Sequence, residues 1–490
     1  MLSVSSFSAL SQTRPYYIYF ADKGAPSLTT NAPLSDFYVE SVAERVDSVR
    51  HELYWLNAVT VQATEAQIHS LQSLPFVESV APFQLTTSQH NTPIRDRDRL
   101  DTLYSLVSQQ LPLQRVLEAG YSGKGVRIAI FDAGFKGANK HPALEAVFES
   151  GRVIATRDFY KGGKNVFRHD SHGMEVMSCI AGTFRGQPLG CAPDAEFLLA
   201  RTEHKWQEKA IEEDHWIAAA QWAFENGADI IHCSLGYTDK RYTYAQMDGL
   251  TTPVSRAAKI ATDQGMLVVC SMGNEGQDSW KYLGAPADVP EVLSVGASMP
   301  MMPMRIQFSS LGPNALNQTK PDISAPGFLV TADPKGGFDE NAGTSFSAPL
   351  ITGLVACLLQ QDTTRTPAQL LEQIQQMGHF YPYFDYELGF GIPDIDKWLD
   401  RPTEQPSAFE TILQGDSVIL KFNPEVMDDS TSFPNGRVLY FHIAKPDGVL
   451  EAAYQVPIAN RSRYYFFRRR LDFDGTIRVW FAGTLWELDE

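Results

Sequence analysis

Short apolar runs alternate with amphipathic stretches through the middle of the chain, from about residue 105 to 400. The runs are nearly continuous in apolar side chains, as expected for strands buried on both faces of a parallel sheet. The clearest runs are 126–131, 229–233, 266–270 and 292–295, with helices predicted at 216–225 and 254–264. We therefore predict an α/β domain over residues 95–402, with a mainly parallel sheet and helices on both of its faces.

A different pattern precedes this domain. Strand, helix, strand, helix and strand follow one another at 17–20, 37–53, 57–61, 64–74 and 76–80. Thr64 with Gln67 three residues later is the pattern of a capping box, which marks the start of the second helix. Residues 85–104 are polar and charged, as in an exposed linker. We predict a small α/β domain with its linker over residues 1–94.

Beyond Pro402 the pattern of apolar and polar residues changes to that of strands separated by turns. Runs at 418–422, 438–443, 464–467 and 477–481 are divided by turn sequences such as Pro434-Asn435-Gly436. This pattern predicts a small all-β, sandwich-like domain over residues 403–490. No cluster of catalytic type lies in it, so we expect a stabilising or docking module rather than a second enzyme.

Composition and charge argue against some classes of partner and location. The formal net charge of −17 argues against a nucleic-acid partner, and no apolar run approaches the length of a membrane span. Ala9-Leu10-Ser11 resembles the end of a signal peptide, and an unstructured terminus is an equal alternative. The five cysteines are odd in number and lack metal-ligand spacing, so buried thiols are favoured over disulfides.

Four segments place polar residues where strands end or helices begin, which is where sites form in open parallel sheets. Asp132 follows the run 126–131, and Asn274 follows the run 266–270. His172 leads into an apolar helix, and Ser345 lies in a glycine-containing turn before the helix 350–359.

These residue types fit acyl transfer. A serine hydroxyl needs a base, which His172 would provide, and Asp132 would hold the imidazole tautomer. The Ser345 N–H at a helix start and the Asn274 amide would stabilise an oxyanion. His169 is close enough in sequence to compete as the base, but it lacks a following glycine and helix.

The motifs resemble those of the subtilase family of serine peptidases. They occur in the family's order, as Asp132-Ala133-Gly134-Phe135, His172-Gly173 with Val176, Gly273-Asn274-Glu275-Gly276 and Gly343-Thr344-Ser345-Phe346-Ser347-Ala348-Pro349. The resemblance spans residues 120–399. It implies a secreted or periplasmic endopeptidase made as a zymogen, with residues 1–94 as its own inhibitory propeptide and self-cleavage between 85 and 104.

The resemblance also assigns substrate-binding residues. Ser234, Leu235 and Gly236 match the edge that pairs with the substrate backbone, and Ser271, Met272 and Gly273 match one wall of the specificity pocket. Gly284 matches the floor of that pocket, which implies room for large apolar or aromatic side chains. Three acidic residues match outer subsites that would favour basic side chains, with a solvated loop as the preferred alternative: Glu212, Glu213 and Asp214.

The resemblance implies protein or peptide substrates and no cofactor. Ala143 stands where the family has a calcium-ligand aspartate, so we expect no metal at that position. Two other functions stay open. An inactive binding protein could keep this fold, although the complete triad argues against it, and a peptide ligase would use the same residues with an amine in place of water.

Overall fold

The computed structural model describes residues 14–23, 31–82, 97–203, 211–238, 241–300, 302–379, 381–399, 407–415, 417–428, 437–446, 449–459, 462–468 and 475–489. The possible signal-peptide remnant at residues 9–11 lies outside these ranges, as does most of the expected cleavage segment. No helix of the described residues is both long and apolar enough to cross a membrane.

The first unit is a four-stranded antiparallel sheet in the order β2-β3-β1-β4 with two helices. Thr64 caps the second helix, and the capping box with Gln67 is formed as predicted. The elements are β1 (Arg14–Phe20), α1 (Asp36–Ala43), β2 (Ser48–Leu53), β3 (Ala58–Ala63), α2 (Glu65–Gln72) and β4 (Val77–Pro82).

The helix predicted over 37–53 is wrong in its second half. Helix α1 ends at Ala43, and β2 then pairs with β3, with Val49 opposite Val61 and Leu53 opposite Ala58. The spacing of Val46, Val49 and Leu53 fits a helical face, but backbone pairing with β3 decides the conformation of this segment.

The large middle unit has a seven-stranded parallel sheet in the order β13-β12-β11-β10-β5-β9-β6. Its elements are α3 (Arg97–Gln110), α4 (Leu113–Glu118), β5 (Arg127–Asp132), α5 (Glu145–Glu149), β6 (Val153–Asp158), α6 (His172–Ala181), β7 (Thr183–Phe184), β8 (Gln187–Pro188), β9 (Glu196–Arg201), α7 (Ile211–Glu225), β10 (Ile230–Cys233), α8 (Pro253–Asp263), β11 (Leu267–Ser271), β12 (Leu293–Ser298), β13 (Ile323–Pro326), β14 (Phe328–Asp333), β15 (Gly337–Ala342), α9 (Thr344–Gln361), α10 (Pro367–Met377) and α11 (Ile395–Trp398).

Each face of this sheet carries its own apolar core. Helices α6 and α9 cover one face and pack on residues such as Ile128, Ile130 and Val269. Helices α7 and α8 cover the other face and pack on Phe131, Val268 and neighbouring residues. The strands are buried on both sides, which explains their continuous apolar character and confirms the predicted fold class.

The predicted linker 85–104 is in part a helix, because α3 begins at Arg97. Leu103 is buried, and it packs with Phe184 and Val330 of the middle unit. The charged residues of this segment obscure in the sequence an apolar face that is buried by packing against the rest of the middle unit. The segment that precedes α3, residues 83–96, lies outside the described ranges.

The last unit consists of two antiparallel sheets, in the orders β16-β17-β20 and β19-β18-β21-β22. Its strands are β16 (Phe409–Gln414), β17 (Ser417–Phe422), β18 (Val438–Ala444), β19 (Leu450–Pro457), β20 (Tyr464–Arg468), β21 (Thr476–Phe481) and β22 (Thr484–Asp489), with one short helix, α12 (Pro424–Asp428). Val418, Leu420, Leu439 and Val479 from both sheets share one core, as in a β-sandwich. The domain limits at 94/95 and 402/403 remain predictions.

Candidate active site

Asp132 and His172 meet at the carboxyl edge of the parallel sheet. Asp132 is the last residue of β5, and His172 is the first residue of α6. The His172 Nδ1 atom lies 3.0 Å from Oδ1 and 2.9 Å from Oδ2 of Asp132, whose side chain is only 1% exposed. A buried carboxylate at Nδ1 fixes the Nδ1–H tautomer and leaves Nε2 as the proton acceptor.

Gly173 allows this approach. A Cβ atom at this position would lie 2.7 Å from the Gly134 carbonyl oxygen and 2.9 Å from the Asp132 Cβ. The Gly173 N–H also donates to that Gly134 oxygen over 2.9 Å. The glycine of the His-Gly pair is therefore required because helix α6 begins in contact with the loop that follows β5.

Two opposing effects set the basicity of His172. Burial by itself lowers the pKa of His172, but the Asp132 carboxylate, together with Glu175 and Glu203, outweighs burial and raises that pKa above the usual imidazole range. Glu175 accepts a hydrogen bond from the Ser171 hydroxyl over 2.9 Å. The negative groups around His172 therefore stabilise an imidazolium.

Ser345 lies in the first turn of α9, where backbone N–H groups have no acceptor within the helix. The turn is made by Gly343, whose φ of 151° is rarely adopted by other residues. The Ser345 hydroxyl donates to the carbonyl oxygen of Ser234 over 3.3 Å. The ring of His172 packs against that of Phe346, the residue after the serine, with centroids 5.6 Å apart.

Asn274 follows β11 and is held in one orientation. Its Oδ1 atom accepts from the Thr344 N–H and from the Thr344 hydroxyl, both over 3.0 Å. Two donors on Oδ1 turn the Nδ2 amide the other way, and Nδ2 lies 3.6 Å from the Cβ position that a side chain at Gly343 would have. The Asn274 amide and the Ser345 N–H therefore lie beside the same turn and can both donate to one oxygen.

The predicted substrate-binding residues come together around β10 and β11. Ser234 follows Cys233, which lies opposite Cys270 in the sheet, and Ser271 ends β11. Tyr237 and Ala285 exchange two backbone hydrogen bonds of 3.0 Å, and this bridge brings Gly236 next to Gly284. The side chains of Leu235 and Met272 are buried in the apolar core, so the backbone of these two segments is what remains to contact a ligand.

The solvated-loop interpretation of the acidic residues at the start of α7 is wrong, and with the first unit in place these residues are not open subsites either. Glu212, Glu213 and Asp214 are all buried, so they form neither a solvated loop nor open subsites. Glu213 bonds Arg241 over 3.1 Å and accepts from the Tyr242 hydroxyl over 2.8 Å. Asp214 pairs with Arg50 of the first unit. The first unit covers this helix, so its polar face is turned inward.

The Asp214 region also contains a cluster with metal-ligand atoms. His51, Asp214 and His215 bring such atoms within 4.8 Å of one another. However, the Arg50 guanidinium lies 3.1 Å from Asp214 and 3.0 Å from His215 Nε2. Because a fixed cation already occupies these ligands, the cluster does not suit a metal ion.

The cysteine prediction needs one correction. Cys233 and Cys270 are joined by a disulfide between adjacent strands β10 and β11. Cys179, Cys191 and Cys357 are free and buried, as expected. The sequence separation of 37 residues gave no sign of the pairing, because only the sheet register places these two residues side by side.

The structure gives the partners of two further histidines, His169 and His232. His169 lies 3.8 Å from Asp158, whereas His172 is the one bonded to Asp132. His232 was not selected from the sequence, yet both of its ring nitrogens are hydrogen-bonded below the Ser345 turn. Its only signal in the sequence is a polar residue inside the apolar strand β10.

A parallel sheet with this site at its carboxyl edge defines the subtilisin-like class. The profile described as the Subtilase family, Peptidase_S8, matches residues 123–391, and the chain belongs to this family of serine peptidases. Residues 21–97 match a second profile, described as a Peptidase S8 propeptide domain of Bacteroidota.

Sequence relatives agree with this assignment. The chain is 27% identical to the serine protease AprX of Bacillus subtilis over 52% of this chain and 61% of AprX. It is 24% identical to subtilisin NAT of Bacillus subtilis subsp. natto over 68% of this chain and 78% of that protein. It is also 30% identical to a protein named intracellular serine protease of Paenibacillus polymyxa, over 49% of this chain and 68% of that protein.

Solved structures share the fold. Fervidolysin from Fervidobacterium pennivorans, described as a keratinolytic enzyme related to subtilisin, matches with a TM-score of 0.56 and 17% identity, over 96% of this chain and 86% of that one. The epidermin leader peptide processing protease of Staphylococcus aureus matches with a TM-score of 0.58 and 16% identity, over 80% of this chain and 100% of that one. At these identities the likeness concerns the fold alone.

Proposed function

We propose that this chain is a secreted serine endopeptidase that cleaves peptide bonds through an acyl-enzyme on Ser345. The observation that carries the proposal is the buried Asp132–His172 hydrogen bond of 2.9 Å beside a serine in the first turn of a helix. His172 is the general base and acid, Asp132 orients it, and Asn274 donates to the oxyanion.

The reaction follows from these positions. Ser345 Oγ attacks the peptide carbonyl carbon while its proton passes to His172 Nε2. The tetrahedral oxyanion accepts hydrogen bonds from the Asn274 amide and the Ser345 N–H. His172 then gives the proton to the leaving amine as the C–N bond breaks. A water molecule then attacks the carbonyl carbon of the acyl-enzyme while His172 takes a proton from it. The bond to Ser345 breaks, His172 returns the proton to Ser345 Oγ, and the acid is released. Asp132 remains a carboxylate throughout.

Before the attack, the Ser345 hydroxyl has to change partner. It donates to the Ser234 carbonyl in this structure, and rotation about the Cα–Cβ bond turns it towards His172. Rotation of a half-buried hydroxyl is fast compared with catalysis, so the resting bond to Ser234 does not prevent turnover.

The first unit fits the role of an intramolecular inhibitor. It packs on α7 and α8 through polar contacts from several of its elements: Tyr54 to Glu225 over 3.2 Å, Gln221 to the Glu52 carbonyl over 2.9 Å, and Arg256 to the Tyr19 hydroxyl over 3.1 Å. We propose that the self-cleavage falls within residues 85–104 and before the start of α3, because a peptide bond inside a packed helix cannot enter an active site.

The substrate edge comprises Ser234, Leu235 and Gly236, with Ser271, Met272 and Gly273 as the facing wall and Gly284 as the floor. An extended peptide would add to this edge as a strand. A Cβ atom at Gly284 would lie 2.9 Å from the Thr238 side chain, so this glycine is required by close packing with the segment that follows Gly236. The preference for large apolar or aromatic side chains before the cleaved bond rests on the resemblance alone, in which a glycine at the pocket floor leaves room for them.

The domain limits that we propose are 1–94, 95–402 and 403–490. The last unit is joined to the middle unit by Tyr440, whose hydroxyl donates to the Pro303 carbonyl over 2.9 Å. Val438, Tyr440 and Trp480 also pack with Tyr383 and Leu388. These buried contacts support a stabilising role for the β domain.

We propose a secreted or periplasmic location. The disulfide between Cys233 and Cys270 supports it, because such bonds persist in oxidising compartments. Fractionation of the native cells with an antibody against the middle unit tests the location. Recovery of the mature form in the cytoplasm alone would reject it.

The decisive experiment compares the wild type with Ser345→Ala. A fluorophosphonate probe should label the wild type and not the variant, and N-terminal sequencing should find the wild type cut within residues 85–104 and the variant intact. A folded wild type that is neither labelled nor cut would identify an inactive binding protein instead. Product masses with a peptide and an added amine distinguish hydrolysis from ligation.

A further inference from the structure

His232 occupies an unusual position for a histidine. It lies in the middle of β10 between apolar neighbours, and its side chain is fully buried. Burial, reinforced by the charge that His172 carries when it is protonated, lowers the pKa of His232 to about 3. The ring is therefore neutral at any pH at which the peptidase works, and it has one N–H donor and one acceptor nitrogen.

Both nitrogens of this ring have partners. Nδ1 lies 2.8 Å from the Thr352 hydroxyl, and Nε2 lies 2.8 Å from the Ser234 hydroxyl. Thr352 belongs to α9, the helix that carries Ser345 in its first turn, and Ser234 belongs to the proposed substrate edge. The imidazole therefore bridges the nucleophile's helix and the segment that faces the nucleophile.

Ser234 and Ser345 are bonded to each other in two ways. The Ser234 hydroxyl donates to the Ser345 carbonyl over 2.9 Å, and the Ser345 hydroxyl donates to the Ser234 carbonyl over 3.3 Å. The first bond fixes the backbone of the nucleophile, which also carries the N–H of the oxyanion site. The second bond sets the resting position of the hydroxyl.

Each hydroxyl in this series of hydrogen bonds has a single proton to donate, and this selects one tautomer of His232. Ser234 has a single O–H; when it donates to the Ser345 carbonyl, His232 Nε2 has to donate to the Ser234 oxygen. His232 Nδ1 is then bare and accepts from Thr352. In the opposite arrangement Thr352 donates to the Ala348 carbonyl, 3.1 Å away, and the Ser345 carbonyl loses its donor.

We infer that His232, in its Nε2–H tautomer, is a positioning residue for Ser345, acting through the Ser234 hydroxyl that it fixes on the Ser345 carbonyl. This inference rests on the proposed peptidase function. His232 does not touch the substrate. By donating to the Ser234 oxygen, it keeps the Ser234 hydroxyl as the donor to the Ser345 carbonyl.

Two substitutions separate positioning from simple packing. The amide of His232→Gln can reach the place of Nε2 and keep the donor to Ser234, whereas that of His232→Asn reaches only the place of Nδ1 and keeps the bond to Thr352. We expect His232→Asn to lower kcat about tenfold, as the loss of one such hydrogen bond implies, with KM changed less than about twofold. His232→Gln should retain most of the wild-type kcat.

Ser234→Ala provides a second path to the same conclusion, because it removes the hydroxyl without disturbing the buried strand. It should reproduce the kcat loss of His232→Asn, and the double variant should lose no more than either single one. His379→Gln is the matched control: the half-buried His379 also has its pKa lowered to about 3, but its Nδ1 accepts from the Ile392 N–H and not from Thr352 or Ser234. It should lower Tm and leave kcat unchanged.

The measurements are kcat and KM on the processed enzyme, the rate of fluorophosphonate labelling, and Tm. Equal kcat losses in the Asn and Gln variants, losses that follow Tm alone, or additive losses in the double variant would overturn the inference. If the wild type itself shows no labelling that depends on Ser345, the proposed function fails instead, so the two failures are distinguishable. Nitrogen-15 spectra of Ser345→Ala should show a protonated Nε2 on His232, and a protonated Nδ1 would also overturn it.

Discussion

Arg50 of the first unit and Asp214 of the middle unit form an ion pair of 3.1 Å in which the Asp214 side chain has no exposed surface. The same guanidinium donates to His215 Nε2, because His215 Nδ1 donates to the Thr202 carbonyl over 2.9 Å. One arginine of the propeptide-like unit thus satisfies two buried groups at the start of α7. The first unit is held there by charge as well as by apolar contact.

Arg50→Ala should weaken the docking of the first unit. It leaves Asp214 buried without its cation; burial already raises the pKa of Asp214 to about 7, so the carboxylate can take up a proton, which limits the loss. We expect a loss of about 1–3 kcal/mol in the stability of the intact chain, measured by denaturant unfolding in the Ser345→Ala background. The exposed pair of Arg45 and Glu44 provides the control, and Arg45→Ala should change stability by less than about 0.5 kcal/mol. Equal effects of the two substitutions would contradict the buried pair.

His51 should make this interface sensitive to acid. Burial, and then the charges of Arg50 and Arg157, lower the pKa of His51 from 6.5 to about 4, and its ring lies 5.3 Å from that of His215. The unfolded chain therefore binds the proton more readily, and the contribution of His51 to stability is lost as the pH falls from about 6.5 to 4.

The raised pKa of Asp214 acts in the opposite direction over much of this range, so the test is a difference. The stability of His51→Gln relative to the Ser345→Ala parent should improve by about 1–3 kcal/mol between pH 6.5 and 4. His69→Gln, at an exposed position of the same unit, should show no such change. A pH dependence unaltered by His51→Gln would exclude this role.

Gly173→Ala should impair catalysis more than folding. The added methyl group would lie 2.7 Å from the Gly134 oxygen and 2.8 Å from Phe135, so the start of α6 must move away from Asp132. We expect kcat/KM to fall about 100-fold, since a displacement of about 1 Å is enough for such a loss. Gly337→Ala, where nothing lies within 4 Å of the new methyl group, is the control. Wild-type activity in Gly173→Ala would show that His172 is not held as described.

The cysteines can be counted chemically. Alkylation of the unfolded chain without reductant should modify Cys179, Cys191 and Cys357 and protect Cys233 and Cys270. After reduction all five should react. The measurement is the intact mass of the alkylated protein, and five modifications without reductant would show that β10 and β11 carry free thiols.

Much of the middle unit follows from the order of its residues alone. The predicted strand 266–270 corresponds to β11, Leu267–Ser271, and the helix 254–264 to α8, Pro253–Asp263. Such elements are readable because a buried parallel strand is apolar throughout and a surface helix is apolar on one side. The motif residues Asp132, His172, Asn274 and Ser345 could be named for the same local reason, since each stands at the end of a strand or the start of a helix.

The sequence by itself thus determined the class of fold, several central strands and covering helices of the parallel sheet, and the residues proposed for catalysis, but not β2, which it predicted as the end of a helix. Only the tertiary structure decided which of Glu212, Glu213 and Asp214 are paired and with what, because the first unit covers a helix whose polar face looks exposed in the sequence. It likewise decided the partners of Cys233 and of His232, which come from β11 and from a helix 120 residues away. Local patterns record the environment of a single element, whereas hydrogen bonds and ion pairs between distant segments depend on the register and packing that bring those segments together.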